Sequence, residues 1–163
     1  MHITTFIGTS LALGVGATLV MDGWALLLKR LGVRTLDYAL LGRWLGHLRR
    51  GTWRHAAIGK APPIAWERAL GWFAHYAIGI VFAAVFTLWA GAPWLAAPTL
   101  LPALGFALAT VLLPLLVMQP AMGAGVFARR TPAPARGCLR SLVTHGVFGL
   151  GLYGAGWARA LIG

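Results

Sequence analysis

Four strongly polar side chains stand inside apolar stretches of this 163-residue chain. Asp22 lies in GATLVMDGWALLL, His75 in ERALGWFAHYAIG, Gln119 in LVMQPAMGAG and His145 in SLVTHGVFGLGLY. Their types define a short list of chemistries. An aspartate beside an imidazole can carry protons, because histidine titrates near neutrality. Two imidazoles on different helices, His75 and His145, can ligate a metal ion or haem. Met21, Met118 and Met122 would add soft donors, although methionine packs well without a metal. Asp22 and His75 could also act as acid and base on a lipid or quinone headgroup, but no nucleophile accompanies them. Cys138 is the only cysteine, which excludes an intrachain disulfide and any CxxC site. No nucleophile elbow, Gly-rich phosphate loop or zincin motif is present. The expectation is therefore no cofactor, with haem or a metal ion as the alternative, and the residue types lean against an enzyme without deciding the question.

The elements that position these groups follow from composition. Hydrophobic residues make up 59% of the chain and charged residues 10%, against about 25% charged in soluble domains. A soluble core cannot absorb so much apolar surface, so part of the solvent must be lipid. Four apolar stretches, about 3–28, 67–90, 99–127 and 139–160, are long enough to supply the roughly 20 helical residues that cross a hydrocarbon layer. The N-terminus lacks the basic region of a signal peptide and reads as a retained first span. The expected fold is an all-α, polytopic membrane protein: one membrane domain over 1–163, with four transmembrane helices in an antiparallel bundle.

Charge orients the bundle. The connection between the first two spans carries Lys29, Arg30, Arg34, Arg43, Arg49, Arg50, Arg54 and Lys60, with Arg68 at its edge. The connection before the fourth span carries Arg129, Arg130, Arg136 and Arg140, which leaves only Arg159 of the 14 basic residues. The connection GAPWLAAPT carries none. Lysine and arginine favour the cytoplasmic side, so both basic connections are expected there and both termini on the outer side. Tryptophans agree, with Trp24, Trp44, Trp53, Trp66 and Trp72 at one interface and Trp89, Trp94 and Trp157 at the other. The formal charge of +11 flanks apolar runs instead of forming a free basic face, so nucleic acid is not an expected partner.

Counting from the basic edge at 1.5 Å per residue puts all four polar residues at about 7–15 Å depth, whichever way the bundle is inserted. Residues four apart share a helix face, and small residues mark the faces where membrane helices approach. Asp22 shares its face with Thr18, His75 with Gly71 and Gly79, Gln119 with Gly123, and His145 with Ser141 and Gly149. The predicted binding pocket is accordingly Asp22, His75, Gln119, His145, Thr18 and Tyr76, with Met21, Met118 and Trp24 as neighbours. Pro114 and Pro120 should kink the third span beside Gln119.

The first connection, about 29–66, is predicted to hold an interfacial helix. LDYALLGRWLGHLRR places Leu36, Leu40, Trp44 and Leu48 on one stripe, the pattern of a segment lying in the headgroup plane. It would grip anionic lipid or, with Arg43, His47, Arg49, Arg50 and Arg54, form an entrance that attracts an anionic ligand. Glu67 falls in the first turn of the second span, where a carboxylate suits the helix dipole.

The blocks quoted above, together with RTPAP, resemble the bacterial membrane family called domain of unknown function 2938 over essentially the whole chain. The resemblance implies an inner-membrane protein of four spans and assigns no activity. Three functions remain in view: a small transporter or binding protein for an ion, metabolite or lipid headgroup, an accessory or assembly subunit of a larger membrane complex, and an enzyme acting on a headgroup. Four spans are few for alternating access, so a homodimer packed on the glycine ladder GVFGLGLYGAG of the fourth span is expected.

Overall fold

The structure, a computed structural model, describes residues 2–33 and 35–162, so Arg34 of the first basic connection lies outside the described residues. Among these the chain is all-helical. Its main helices are α1 (Ile3–Arg30), α2 (Tyr38–Leu48), α3 (Glu67–Ala96), α4 (Leu100–Thr110), a single turn α5 (Gln119–Ala121) and α6 (Pro134–Ile162). Three stretches are long and apolar enough to cross a membrane: α1, α3 and the run Leu100–Ala121, which joins α4 to α5. At most 33% of the most apolar stretch of any of them is buried. The remainder exposes large side chains such as Leu19, Val81, Leu88, Leu101 and Leu112, apolar surface of the extent that meets a membrane or a protein partner. The fourth expected span falls in the helix α6, which is less apolar than the other three because it includes Arg136, Arg140 and Arg159 besides its glycines and His145.

Observed boundaries refine the expected ones. α3 runs past residue 90 but breaks at Gly91, whose φ of 70° only glycine adopts easily, just before Pro93. Pro114 opens a five-residue π-helical segment, Pro114–Met118, and α5 follows it directly. A wide turn of this kind is how a helix accommodates a lost donor and a displaced carbonyl. The helix then ends at Ala121 instead of continuing to 127, and Gly123 and Gly125 turn the chain with positive φ.

The helices group into two compact units. The first comprises the described residues of 1–35, 76–110 and 144–163, and the second 36–75 and 111–143. In the first, α1 and α3 cross where a Cβ on Gly14 would meet the backbone of Ile80 and one on Gly79 would strike the Thr18 hydroxyl. Gly151 of α6 lies against the backbone of Ala17, and Gly149 against Ala103, Leu104 and Ala107 of α4. Residue numbers rise along one helix of each pair as they fall along the other, so these pairs are antiparallel. The core between them contains Leu13, Ala17, Phe86, Phe148 and Leu152. Trp94 stands edge-on to Phe86 at 4.6 Å. The glycine ladder is thus occupied within the chain: Gly149 and Gly151 by helices, and Gly156 by the Trp94 ring. Gly154 alone of the ladder's second half faces open space.

In the second unit Asp37 caps α2 by accepting from the Ala39 amide at 3.0 Å, which satisfies one orphan donor of the first turn. α2 then meets the start of α3 backbone to backbone: a Cβ on Gly42 would overlap the Glu67 carbonyl, and one on Gly71 the Tyr38 carbonyl. Leu41, Trp44, Ile58, Ala74 and Ala121 form the core. Trp44 is buried and donates to the Trp53 carbonyl at 2.9 Å, and Trp94 likewise donates to Thr99. Both therefore serve as internal packing, not as the interfacial belt expected of them. Gly71→Ala should destabilise the protein by about 1–3 kcal/mol, the range for overpacking a tight contact. Gly154→Ala should stay within about 0.5 kcal/mol; thermal unfolding of the detergent-solubilised protein, followed by tryptophan fluorescence, measures both.

Candidate functional site

Of the predicted pocket residues, the structure joins Asp22 and Tyr76 directly: the Tyr76 hydroxyl donates to Asp22 Oδ2 at 2.8 Å. Asp22 sits on α1 and Tyr76 on α3, at the end of the series in which 14 meets 80 and 18 meets 79. Thr18 has a different job from the one expected. Its buried hydroxyl donates to its own helix at the Gly14 carbonyl, 2.7 Å away, and it fills the notch of Gly79. Met21 packs against the first core, and Met118 and Met122 against the second, so the three methionines are packing residues.

His145 lies in the same unit. The Thr110 hydroxyl donates to the Ala107 carbonyl at 2.6 Å and lies 2.8 Å from His145 Nδ1. With the single threonine proton given to Ala107, Nδ1–H is the donor to Thr110.

The other two predicted residues belong to the second unit. His75 is buried, with Nε2 3.0 Å from the Tyr38 hydroxyl. Its ring stacks on Tyr38 at 4.1 Å and meets the edge of Trp72 at 5.8 Å. Gln119 Nε2 donates to Ser141 Oγ at 3.4 Å, while its Oε1 is buried without a partner. Each of the four polar residues is thus held by a hydroxyl: Tyr76, Tyr38, Ser141 or Thr110. Of these only Tyr76 was predicted. Hydroxyl partners come from distant parts of the chain, and single serines, threonines and tyrosines leave no periodic trace. Among the described residues no group of three His, Cys, Asp or Glu side chains could hold a metal ion.

The expected entrance residues divide into two kinds. Arg43 and His47 point inward. Arg43 makes a two-pronged bond to Glu67, with Nε on Oε2 at 2.8 Å and Nη2 on Oε1 at 2.7 Å. Its Nη1 reaches the carbonyls of Ile58, Gly59 and Ala61 at 3.1–3.4 Å. Glu67 also accepts from the Ile64 amide. The Glu67 carboxylate holds the Arg43 guanidinium above its ordinary pKa. With both side chains less than a fifth exposed, the pair fastens α2, the turn at 58–61 and the start of α3. His47 is buried, with Nδ1 2.8 Å from His55 Nε2, a pairing the helical stripe did not reveal. Arg49, Arg50 and Arg54 are exposed.

Arg54 and His55 also line a cavity of about 550 Å³ with Ala56, Pro120, Gly125, Val126, Arg129 and Arg130. Arg129 and Arg130 were read only as topology signals. Their place beside Arg54 depends on a strap: the His55 amide donates to the Ala121 carbonyl at 2.9 Å and the Ile58 amide to Met122 at 3.0 Å.

Among the described residues the protein is all-helical, with three helices long and apolar enough to cross a membrane and polar groups seated in its apolar helices. The chain belongs to the family described as Protein of unknown function (DUF2938), which it matches over residues 11–159. No curated protein and no solved structure is detectably similar to it.

Arg43→Lys should cost about 1–3 kcal/mol, because an ammonium cannot reproduce the fork. Glu67→Gln should cost a similar amount, and the double variant less than the sum of the two, as for residues in direct contact. Thermal unfolding of the four proteins completes the cycle.

Proposed function

We propose that this protein crosses a bacterial inner membrane four times and binds and transports a small ion, metabolite or lipid headgroup. The groups able to handle the ligand or its coupled proton are Asp22, Tyr76 and His145 in the first unit and, separately, His75 and Gln119 in the second. One observation carries the reading. Asp22, in an otherwise apolar stretch of a helix able to cross the membrane, meets the hydroxyl of Tyr76 on a second such helix. An ionisable group at such a place is costly and points to a proton or ion path. A carboxylate held by a tyrosine hydroxyl, and an imidazole that offers Nε2, are groups able to take up and release protons.

α6 is the fourth span in this reading. It lies along α1 from Gly151 at Ala17 to Arg159 at Thr9, and along α4 from His145 at Thr110 to Gly149 at Ala103. A helix so paired with two membrane-crossing neighbours shares their depth, and its glycines lower its hydropathy without adding charge. The basic connections then lie in the cytoplasm and the termini in the periplasm. The accessory-subunit reading draws on Trp66, 84% exposed at the start of α3, which would dock a protein partner. Gentle purification distinguishes the two, since an accessory subunit arrives with a stoichiometric partner.

Cys138, the sole cysteine, reports orientation. A membrane-impermeant maleimide should label it in inside-out vesicles and leave it unlabelled in intact spheroplasts; the opposite pattern overturns the assigned topology. In liposomes containing a pH-sensitive dye, the wild-type protein should carry proton-coupled flux under an imposed pH step. Asp22→Asn and His75→Ala should abolish that flux at unchanged expression. Flux equal to wild type in both variants would reduce the polar groups to fastenings between helices.

A further inference from the structure

We infer that the cavity between the strap at 54–56 and the turn at 120–130 is a binding site for a phosphate group carried on a small organic body. Three guanidinium groups border it, Arg54 from the strap and Arg129 and Arg130 from the turn. None has a carboxylate partner among the described residues, and only three acidic residues exist in the chain. Glu67 is taken by Arg43, Asp37 by the cap of α2, and Asp22 is engaged with Tyr76. Three cations around one concavity repel each other and raise the local concentration of anions. The guanidinium fork matches phosphate oxygens in pairs.

The arginines are presented by a built framework. Besides the two strap bonds from His55 and Ile58, the Arg130 amide donates to the Ala124 carbonyl at 2.8 Å. A Cβ on Gly123, at φ 99°, would overlap the Ala56 carbonyl, so the turn closes directly onto the strap. Phe127 and Ala128 hold left-handed conformations at φ 52° and 56°. Such backbone is uncommon for residues with a Cβ and gathers at ligand sites. His55 provides an independent sign. It lies on the cavity wall with Nε2 given to His47, while its buried Nδ1 has no partner. A buried ring nitrogen without a partner calls for an explanation, and a phosphate oxygen or its hydroxyl supplies one.

A volume of about 550 Å³ lies in the range of about 300–1,000 Å³ typical of small-molecule sites. It exceeds what a bare phosphate fills, and so points to a phosphate ester. Two sources share that chemistry: the headgroup of an anionic phospholipid and a soluble phosphate ester. The site lies within one compact unit and does not depend on the polar groups of the spans.

Isothermal titration of the full-length protein in an uncharged detergent tests the assignment, with glycerol 3-phosphate and dioctanoyl phosphatidic acid as probes. Arg54→Gln with Arg130→Gln should weaken binding by at least about tenfold, the loss of charge-assisted bonds. Lys29→Gln with Arg30→Gln removes the same charge from the end of α1. At matched ionic strength it should change binding by less than about twofold, because neither side chain lines the cavity and salt screens exposed charges. Tighter binding of the lipid by more than about tenfold assigns the site to a membrane headgroup, and comparable binding of both probes assigns it to a soluble ester. Absence of binding by either probe, or equal weakening in the two double variants, would overturn the site. The flux assay is unaffected by either outcome, so the two readings fail separately.

Discussion

Close approach of backbones is the constraint on which the rest of this structure depends. In lipid, one apolar helix has no hydrophobic reason to prefer another, so association rests on van der Waals contact and interhelical hydrogen bonds. The chain meets that requirement with glycine. Gly14 and Gly79 seat α1 on α3, Gly149 and Gly151 seat α6 on α4 and α1, and Gly42 and Gly71 seat α2 on the start of α3. Once the backbones touch, short side chains reach across: Tyr76 meets Asp22, Thr110 meets His145 and Tyr38 meets His75. The polar contacts are therefore consequences of the glycine contacts, and they fix which polar groups can meet.

The same economy governs charge. With three acidic and 14 basic residues, most cations must face water, lipid phosphates or a ligand. The one ion pair among the described residues goes to the place with the most strands of chain to fasten, where Arg43 holds Glu67 and three carbonyls together. Asp37 is used for a helix cap. What remains on the strap and on the turn at 129–130 is positive charge with no internal answer. A protein whose carboxylates are all engaged in this way is poised to recruit anions from outside itself.

Much of this was legible in the sequence because it is periodic. Apolar runs located the long helices to within a few residues, and the i, i+4 glycines around His75, with Thr18 on the face of Asp22, marked real contact faces. The polar residues themselves were visible as exceptions to their surroundings. Their partners were not. Tyr38, Thr110 and Ser141 are common residue types at unremarkable spacings, and each lies 22 to 37 residues from the group it holds. The π segment after Pro114 was legible as a disturbance but not as a form, since a lost donor can be met by a kink, a break or a wide turn. Trp44 and Trp94 were misread for a related reason: composition places tryptophan at an interface on average, while a nearby free carbonyl, at Trp53 or Thr99, decides the individual case.

The choice of hydroxyls as partners has a further consequence. A hydroxyl brings no opposing charge to the group it holds. At Gln119 the Ser141 hydroxyl orients the amide through Nε2, while Oε1 stays buried with no partner. Leaving such an acceptor buried costs about 1–3 kcal/mol, a penalty that fastening alone would not require, since leucine or alanine packs the same helices at no such cost. Retaining an oriented but incompletely satisfied amide is the arrangement expected where something else completes the bond, which supports the role proposed for Gln119.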